Sequence, residues 1–565
     1  MAKKESPFSE HTLDLIKGFT LENIEKFGKA NAGAILGKIL GENNDLKTKI
    51  QELKKEIDTI IKNYSKLTKK EFTELHAKYT AHLTNLPKKE QRKNLPELKH
   101  TKEYILRFAP SPSGPIHIGR MIPLLLNSEY AKKYNGKFIL RIEDTDPSKV
   151  SLDIYKLIEE DTRWLTGNKI SEIVIQSDRI NDYYKHAQEL IDKGHAYVCT
   201  CQPEDWKEFV QKKMACPDRD LPIEEQNKRW HGMLKDWKEG RGVLRIKTNM
   251  AHPNPAIRDW PAFRITEDEH PRQGKKYRVW PLMNFSVAVD DHEYGLTHVI
   301  RGKDHLTNAD RQKYLFDYFK WSTPEYIHTG RINFEGIDIS ASEFNRDIKN
   351  KKYSGVDDPK LPTAAAFRRR GLLPEAFIRY IHELGPSKVD KTVGYEEFMQ
   401  TIYAFNRALI EKDANRYFII EDPIQIEIKN MPDIKAELPL HPDFPERGTR
   451  KFQKSNKFYI EKKDKPLKDK NYRLMHLCNF SGKDLKFISQ HPDQSLDTKA
   501  VHWLPVTEKP IKVKVMMSHG NDIEALGEPG LKHLKPETIV QFERKFFAKF
   551  DHQEGNTYVF YQTHK

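Results

Sequence analysis

No stretch of the 565-residue chain approaches the roughly 18 consecutive apolar residues that a membrane-spanning helix needs, so no such span is expected. The opening MAKKESPFSE lacks the apolar core of a secretory signal, and a soluble, cytoplasmic protein is expected. Cysteine is scarce as well. Cys199, Cys201, Cys216 and Cys478 are too few for a disulfide scaffold, and three of them cluster in the manner of metal ligands. Internal repeats and low-complexity tracts are missing, and 37% hydrophobic with 10% aromatic residues excludes a wholly disordered chain. At roughly 150 residues per domain the length implies about three to five domains. Anionic charge is in deficit: 96 Lys and Arg against 82 Asp and Glu leave +14, which raises nucleic acid as a partner, although charge alone fits acidic small molecules equally well.

Residues 1–98 read as a polar helical region. Leu46, Ile50, Leu53, Ile57 and Ile61 recur at spacings of three and four, the stripe of an amphipathic helix that packs within its own domain or docks on a partner. The run from Leu86 to Leu98 is charged and holds two internal prolines, as a linker would. From Tyr104 the texture becomes strand, loop, helix, strand: YILRFAP, a loop, a helix from Met121 to Tyr134, then FILRIEDTD. That order opens a nucleotide-binding α/β sheet. Beyond about residue 415, short alternating segments such as Ile424 to Ile428 and Ile511 to Met516 between proline and glycine turns predict an all-β region built as barrels.

The loop Arg107 to Gly119, RFAPSPSGPIHIG, follows an apolar strand and opens a helix. Three prolines stiffen it, Gly114 and Gly119 let backbone approach a flat ring or a phosphate, and His117 lies where its imidazole could donate to phosphate oxygens beside the positive helix end. Across its length the loop resembles that of the class I glutamyl-tRNA synthetases, in the archaeal-type branch shared with glutaminyl enzymes. The resemblance continues through Arg141 to Asp146, AVDDHEYGLTHVIRGKDHLTN at 288–308, YSGVDDPKLPT at 353–363, LHPDFPERG at 440–448, HWLP at 502–505 and VQFERKFF at 540–547.

The resemblance implies a multidomain protein with a Rossmann-type catalytic domain, an α-helical N-terminal extension and a β-barrel anticodon-binding region. Its expected boundaries are 1–98 for the extension and linker, 99–330 for the catalytic domain with an acceptor-end insertion at about 195–285, 331–414 for a KMSKS-like loop and helical connective domain, and 415–565 for the barrels. It implies attachment of L-glutamate to tRNA(Glu), and in some members tRNA(Gln), through a glutamyl adenylate, with ATP and its Mg2+ as co-substrate. Such chemistry asks for positioning and charge stabilisation more than for a strong base. His117, Gly119 and Arg120 match the catalytic signature, His117, Gly119, Ser340 and Ser342 the ATP-binding positions, and Arg107, Ser111, Glu143 and Arg301 the amino-acid site. Taken without the motif, Glu143 and Asp144 would read as a solvated pair at a strand end. The N-terminal helices leave a partner protein open.

Three features depart from the family pattern. Arg120 stands where the HIGH motif has its second histidine; a guanidinium can still reach a phosphate. Glu343 stands where the KMSKS-type loop, here DISASE at 338–343, carries its lysine, and Arg346, Lys349, Lys351 or Lys352 could replace it. Cys199-Thr200-Cys201 and Cys216-Pro217-Asp218 resemble the family's zinc-binding insertion with Asp218 in place of a fourth cysteine, which leaves a zinc site and a metal-free remnant as alternatives. Ser111-Pro112-Ser113 and HVIRGKDH are the glutamyl rather than the glutaminyl forms. A glutaminyl-tRNA synthetase and an inactive tRNA-binding paralogue are the alternatives. The segment Arg447 to Lys468 interleaves cations with Phe452, Phe458 and Tyr459, and is either a face that stacks on bases or a basic hairpin with its aromatics in the core.

Overall fold

The computed structural model describes residues 7–27, 30–42, 46, 49–84, 95–493 and 495–565. Met1–Gln91 and Arg92–Lys565 are separate units. In the first, helices Glu10–Phe27, Ala32–Glu42, Ile50–Tyr64 and Lys69–Thr84 pack about Leu15, Ile16, Ile35, Leu53 and Ile57. The amphipathic stripe therefore packs within its own unit, with one correction: the helix begins at Ile50, so Leu46 precedes it, and Ile60 joins Leu53 and Ile57 on the buried face while Ile61 is half-buried. Most of the expected linker lies outside the described residues. Leu95 and Leu98, at its end, are buried in the catalytic core.

Three parallel strands, Ile105–Phe108, Lys137–Ile142 and Glu172–Ile175, form one ladder, and His298–Gly302 with Glu325–Thr329 form another. The Thr297 amide donates to Ile105 O at 3.1 Å and the Ile105 amide to Thr297 Oγ1 at 2.9 Å, so the ladders abut as one doubly wound sheet. Side chains of such a sheet are covered on both faces, which is why the strands read as nearly continuous apolar runs. The insertion expected at about 195–285 is a four-stranded antiparallel sheet, Ala196–Cys199, Val243–Ile246, Pro261–Ile265 and Val279–Pro281, with the helices Pro203–Lys212 and Ile223–Lys235.

Helices Ala341–Lys349, Ala364–Arg370, Pro374–Leu384 and Tyr395–Ile410 then lead into the β region, the last three packing into the same core as the strands Ile105–Phe108 and Lys137–Ile142. There a seven-stranded sheet begins with Asn415–Tyr417 and ends with Ile419–Glu421, two strands adjacent in sequence, so the sheet curls almost onto itself. A second β core surrounds Trp503 and contains the fully buried Cys478, a small hydrophobe in its packing. Phe452 and Phe458 lie 5.0 and 5.4 Å from the Trp503 ring, and Tyr459 is half-buried. Phe452 and Phe458 thus turn inward, but the segment is not the expected hairpin: Thr449–Phe452 pairs with Ala436–Pro439, and Lys457–Glu461 with Pro423–Glu427 and Leu504–Pro505. Among the described residues no helix is long and apolar enough to cross a membrane.

The short helix Ala364–Arg370 joins the two halves. Ahead of it, the Ile118 amide donates to Pro362 O at 3.0 Å, the Ala364 amide donates to Ile116 O at 2.8 Å, and His117 bridges Thr363. At its end, Arg369 pairs with Asp551 at 3.1 Å and Arg370 donates to Thr563 O at 2.8 Å, both on the seven-stranded sheet. Gly371 closes it with φ +85°, and a Cβ there would stand 3.2 Å from Ile539, Lys549 and Thr563.

Candidate active site

Arg107, Arg141 and Arg301 are each the penultimate residue of a parallel strand, which places all three guanidinium groups at the carboxyl ends of the strands, where ligands of this sheet type bind. Arg107, Ser111, Arg120, Asn127, Glu143, Arg301 and His305 line a cavity of 350 Å³ there. Counter-charge is unevenly shared among the arginines. Arg141 donates to Asp291 Oδ1 at 2.7 Å and to Glu143 Oε1 at 3.2 Å. Burial opposes its charge, but Asp291, Glu143 and Asp290 outweigh that and raise its pKa. Arg107 has Asp291 at 4.0 Å as its one ion-pair partner among the described residues, and burial lowers it to about 10 against Asp291 and Glu143. Arg301 donates through Nη2 to the neutral Gln312 at 3.0 Å, lies over the Tyr326 ring at 4.9 Å, and burial likewise lowers it. The buried Nε atoms of both Arg107 and Arg301 find no hydrogen-bond partner among the described residues. Two buried cations short of anions, with spare donors, make a receptor for a dicarboxylate.

Glu143 and Asp144 are not the solvated pair that a strand end alone suggests. Glu143 lines the cavity, its amide donating to Pro110 O at 3.0 Å, and burial raises its pKa against the pull of Arg141 and Arg107. Asp144 is fully buried and structural: it accepts from Tyr155 Oη at 2.6 Å and from the Ser177 amide at 2.7 Å. Both follow the end of the strand Lys137–Ile142, and their different partners give the two carboxylates different purposes.

A second cavity of 750 Å³ adjoins the first and is lined by His117, Gly119, Arg120, His305, Arg331, Ser340 and Glu343 among others. His117 caps the helix Ile118–Lys133, its Nδ1 accepting the Gly119 amide at 3.2 Å. Burial and then the neighbouring Arg120 lower His117 to about 4, so the ring is neutral with its proton on Nε2. Arg120 donates to Ser111 O and Gly114 O, both at 3.3 Å, and so holds the proline-rich loop as well as facing the cavity. Ser340 caps the helix Ala341–Lys349, accepting the Glu343 amide at 3.4 Å, and lines the cavity; Ser342 lies in the first turn of that helix. Of the cations that could stand in for the signature lysine, Arg346 and Lys349 line a neighbouring groove with Arg120 and Lys149, while Lys352 pairs with Asp347 at 2.7 Å. Sequence reasoning did not single out Arg141, Asp291, His305 or Arg331. The DDH and GKDH runs that carry two of them were visible, but not that they fold against Arg107.

Away from the cavities, ligand atoms of Cys199, Cys201, Cys216 and Asp218 all lie within 4.8 Å of one another. Cys201 and Cys216 sulfurs are 3.3 Å apart and those of Cys216 and Cys199 3.6 Å. Hydrogen bonding from Cys216 holds the Cys199 thiol down at about 6. Three sulfurs and a carboxylate oxygen converging in this way suit a tetrahedral zinc ion.

A family model described as tRNA synthetases class I (E and Q), catalytic domain, matches residues 104–412, and one described as their anti-codon binding domain matches 414–495. The chain belongs to this class I family of synthetases. Proteins called glutamate–tRNA ligase resemble it along nearly its whole length. That of Methanothermobacter thermautotrophicus is 40% identical over 559 residues, 98% of this chain and 99% of its own. That of Pyrococcus horikoshii is 43% identical over 573 residues, 97% and 99% of the two chains. Among solved structures, a glutamate tRNA ligase from Elizabethkingia meningosepticum in complex with its amino acid aligns at 23% identity and a TM-score of 0.41, covering 56% of this chain and 71% of that one.

Proposed function

We propose that this protein joins L-glutamate to tRNA(Glu), and that the smaller cavity holds the amino acid while the larger holds ATP. The observation that carries the reading is the pair of buried arginines, Arg107 and Arg301, short of counter-charge beside the half-buried Glu143. Glutamate brings two carboxylates and one ammonium group, and these three side chains are their complement. Glutamine would leave one guanidinium facing a neutral amide, a mismatch inside a desolvated pocket. Ser111 adds a hydroxyl on the same wall.

In the first step a glutamate carboxylate oxygen attacks the α-phosphorus of ATP and diphosphate leaves; in the second the terminal ribose hydroxyl of tRNA attacks the acyl carbon, loses its proton and releases AMP. His117 and Gly119 present the helix end and the neutral imidazole to the nucleotide, and Arg120 and Arg331 supply positive charge on the same walls. ATP brings Mg2+ with its phosphates, and Asp304, Asp338 and Glu343 are carboxylates on those walls. Cys199, Cys201, Cys216 and Asp218 would hold zinc as a structural closure of the insertion, remote in role from the bond-making steps. The test is isotope exchange between diphosphate and ATP with tRNA present: exchange that requires glutamate and is not supported by glutamine is the expected result. A protein that binds tRNA but gives no exchange would instead be the inactive paralogue.

A further inference from the structure

A chain of hydrogen bonds leaves Arg301 and returns to the cavities from the other side. Arg301 Nη2 donates to Gln312 Oε1 at 3.0 Å, Gln312 Nε2 to Asn284 Oδ1 at 3.2 Å, and Asn284 Nδ2 to Asn308 Oδ1 at 3.2 Å. Asn308 Nδ2 then stands 3.0 Å from His305 Nδ1. The polarity of the whole relay follows from its first member. A guanidinium has only donors, so Gln312 must turn its oxygen to it, and each amide in turn has only its nitrogen for the next. The last nitrogen cannot accept, so Nδ1 of His305 must, and the ring proton resides on Nε2. Gln312 is fully buried, with Tyr326 Oη at 3.5 Å from the same oxygen, so its amide has little freedom to turn.

His305 also has a particular address. With Arg120, Pro123 and Gly302 it lines both cavities, and so stands at their junction. We propose that His305 is a further catalytic residue of the activation step, a neutral donor through Nε2 to an anionic oxygen where the carboxylate meets the α-phosphate, and that Gln312, Asn284 and Asn308 are positioning residues that fix its tautomer. This rests on the reading of the two cavities as amino-acid and nucleotide sites. A fixed donor aimed at the place where charge redistributes needs no reorganisation during reaction. The charged and titratable groups facing His305 are Asp304, Arg301 and Arg107, with His328 on the neighbouring strand. Asp304 is 3.6 Å from Nε2, too far for a hydrogen bond, which leaves that proton available. Burial, and the two arginines against Asp304, favour the neutral ring.

Full-length protein with tRNA, assayed by diphosphate exchange, tests the proposal with three variants. His305→Asn keeps an acceptor for Asn308 but removes the donor; His305→Gln keeps an N–H near the position of Nε2. His305→Asn is expected to lower kcat about 100-fold with little change in the KM of glutamate or ATP, and His305→Gln to recover much of that loss. Asn308→Asp puts an acceptor against Nδ1, so the neutral ring carries its proton there and Nε2 loses its own. Its kcat should fall as pH rises through the ring's pKa, a limb the unsubstituted protein lacks. Wild-type kcat in His305→Asn, equal damage in both His305 variants, or an unchanged pH profile in Asn308→Asp would each overturn the proposal alone. No glutamate-dependent exchange by the unsubstituted protein would overturn the reading of the cavities, and the proposal with it.

Discussion

On the proposed function, Arg301 is the residue on which substrate choice should turn. It is buried, its Nε lacks a partner among the described residues, and its one side-chain hydrogen bond goes to a neutral amide. Arg301→Ala is expected to lower kcat/KM for glutamate by roughly two to three orders of magnitude and erase the preference over glutamine, with ATP and tRNA binding little changed. A purely structural arginine would instead lower the melting temperature and leave the KM of glutamate alone, so both should be measured on one variant. His117 makes a different kind of prediction. Because burial and Arg120 hold its pKa at about 4, well below the ordinary 6.5, the ring is neutral and Nδ1 accepts the Gly119 amide throughout the neutral range. Protonation removes that acceptor. The KM of ATP should therefore stay level from pH 6 to 8 as far as His117 is concerned and rise only toward pH 4; a limb near 6.5 that disappears in His117→Asn would contradict this. Arg107, Glu143 and Arg301 could be picked out in the sequence because each sits in a motif beside a strand end. Arg141 and Asp291 could not, because their importance lies in a contact between residues 150 positions apart.

At the scale of elements, period and punctuation were readable and partnership was not. The strand Ile511–Met516 lies where alternation puts it, and the helix Ile50–Tyr64 buries the stripe its spacing of three and four defines. Leu46 continues that spacing but falls before the helix starts, since periodicity carries no mark of where hydrogen bonding begins. For the segment 447–468 the sequence offered two orientations, and packing against Trp503 decides it for Phe452 and Phe458: burying two rings in a core outweighs keeping them exposed for a ligand. The cysteine cluster is the element whose chemistry can be tested by removal. Purified protein is expected to carry close to one equivalent of zinc by elemental analysis, and Cys201→Ser to release it. Retention of the metal by that variant, or none in the parent, would return the cluster to the status of a packed remnant.

For the molecule as a whole, the path from the loop that carries His117 to the seven-stranded sheet is one short segment. Pro362 and Ala364 hydrogen bond to the loop, and Arg369 and Arg370 hold the sheet. Engagement of the β region by tRNA can therefore bias the loop that carries His117 through contiguous contacts. Glutamate activation is expected to need tRNA, and exchange at full rate without it would refute the linkage. The +14 charge adds a measurable consequence. A protein that holds a polyanion with lysine and arginine releases counterions, so tRNA affinity should fall steeply between about 50 and 200 mM salt. A flat response would argue for a small interface.

The helix Ala364–Arg370 also sets what evolution or an engineer can do to this chain. It is tied at both ends and has no slack: its amino end is fixed by hydrogen bonds to residues 116 and 118, its carboxyl end by two arginines and by Gly371, whose φ of +85° strains any side chain and whose Cβ would press on the sheet at 3.2 Å. One residue inserted within it would turn everything downstream by about 100° and aim Arg369 and Arg370 away from Asp551 and Thr563. The Gly555-Asn556 turn, at the tip of the hairpin Phe546–Glu554 and Thr557–His564, has no such phase to keep. Length variation should accumulate at turns of that kind and be purged from 362–371, so a single-alanine insertion at each place, compared by aminoacylation rate, is expected to be silent at the first and ruinous at the second.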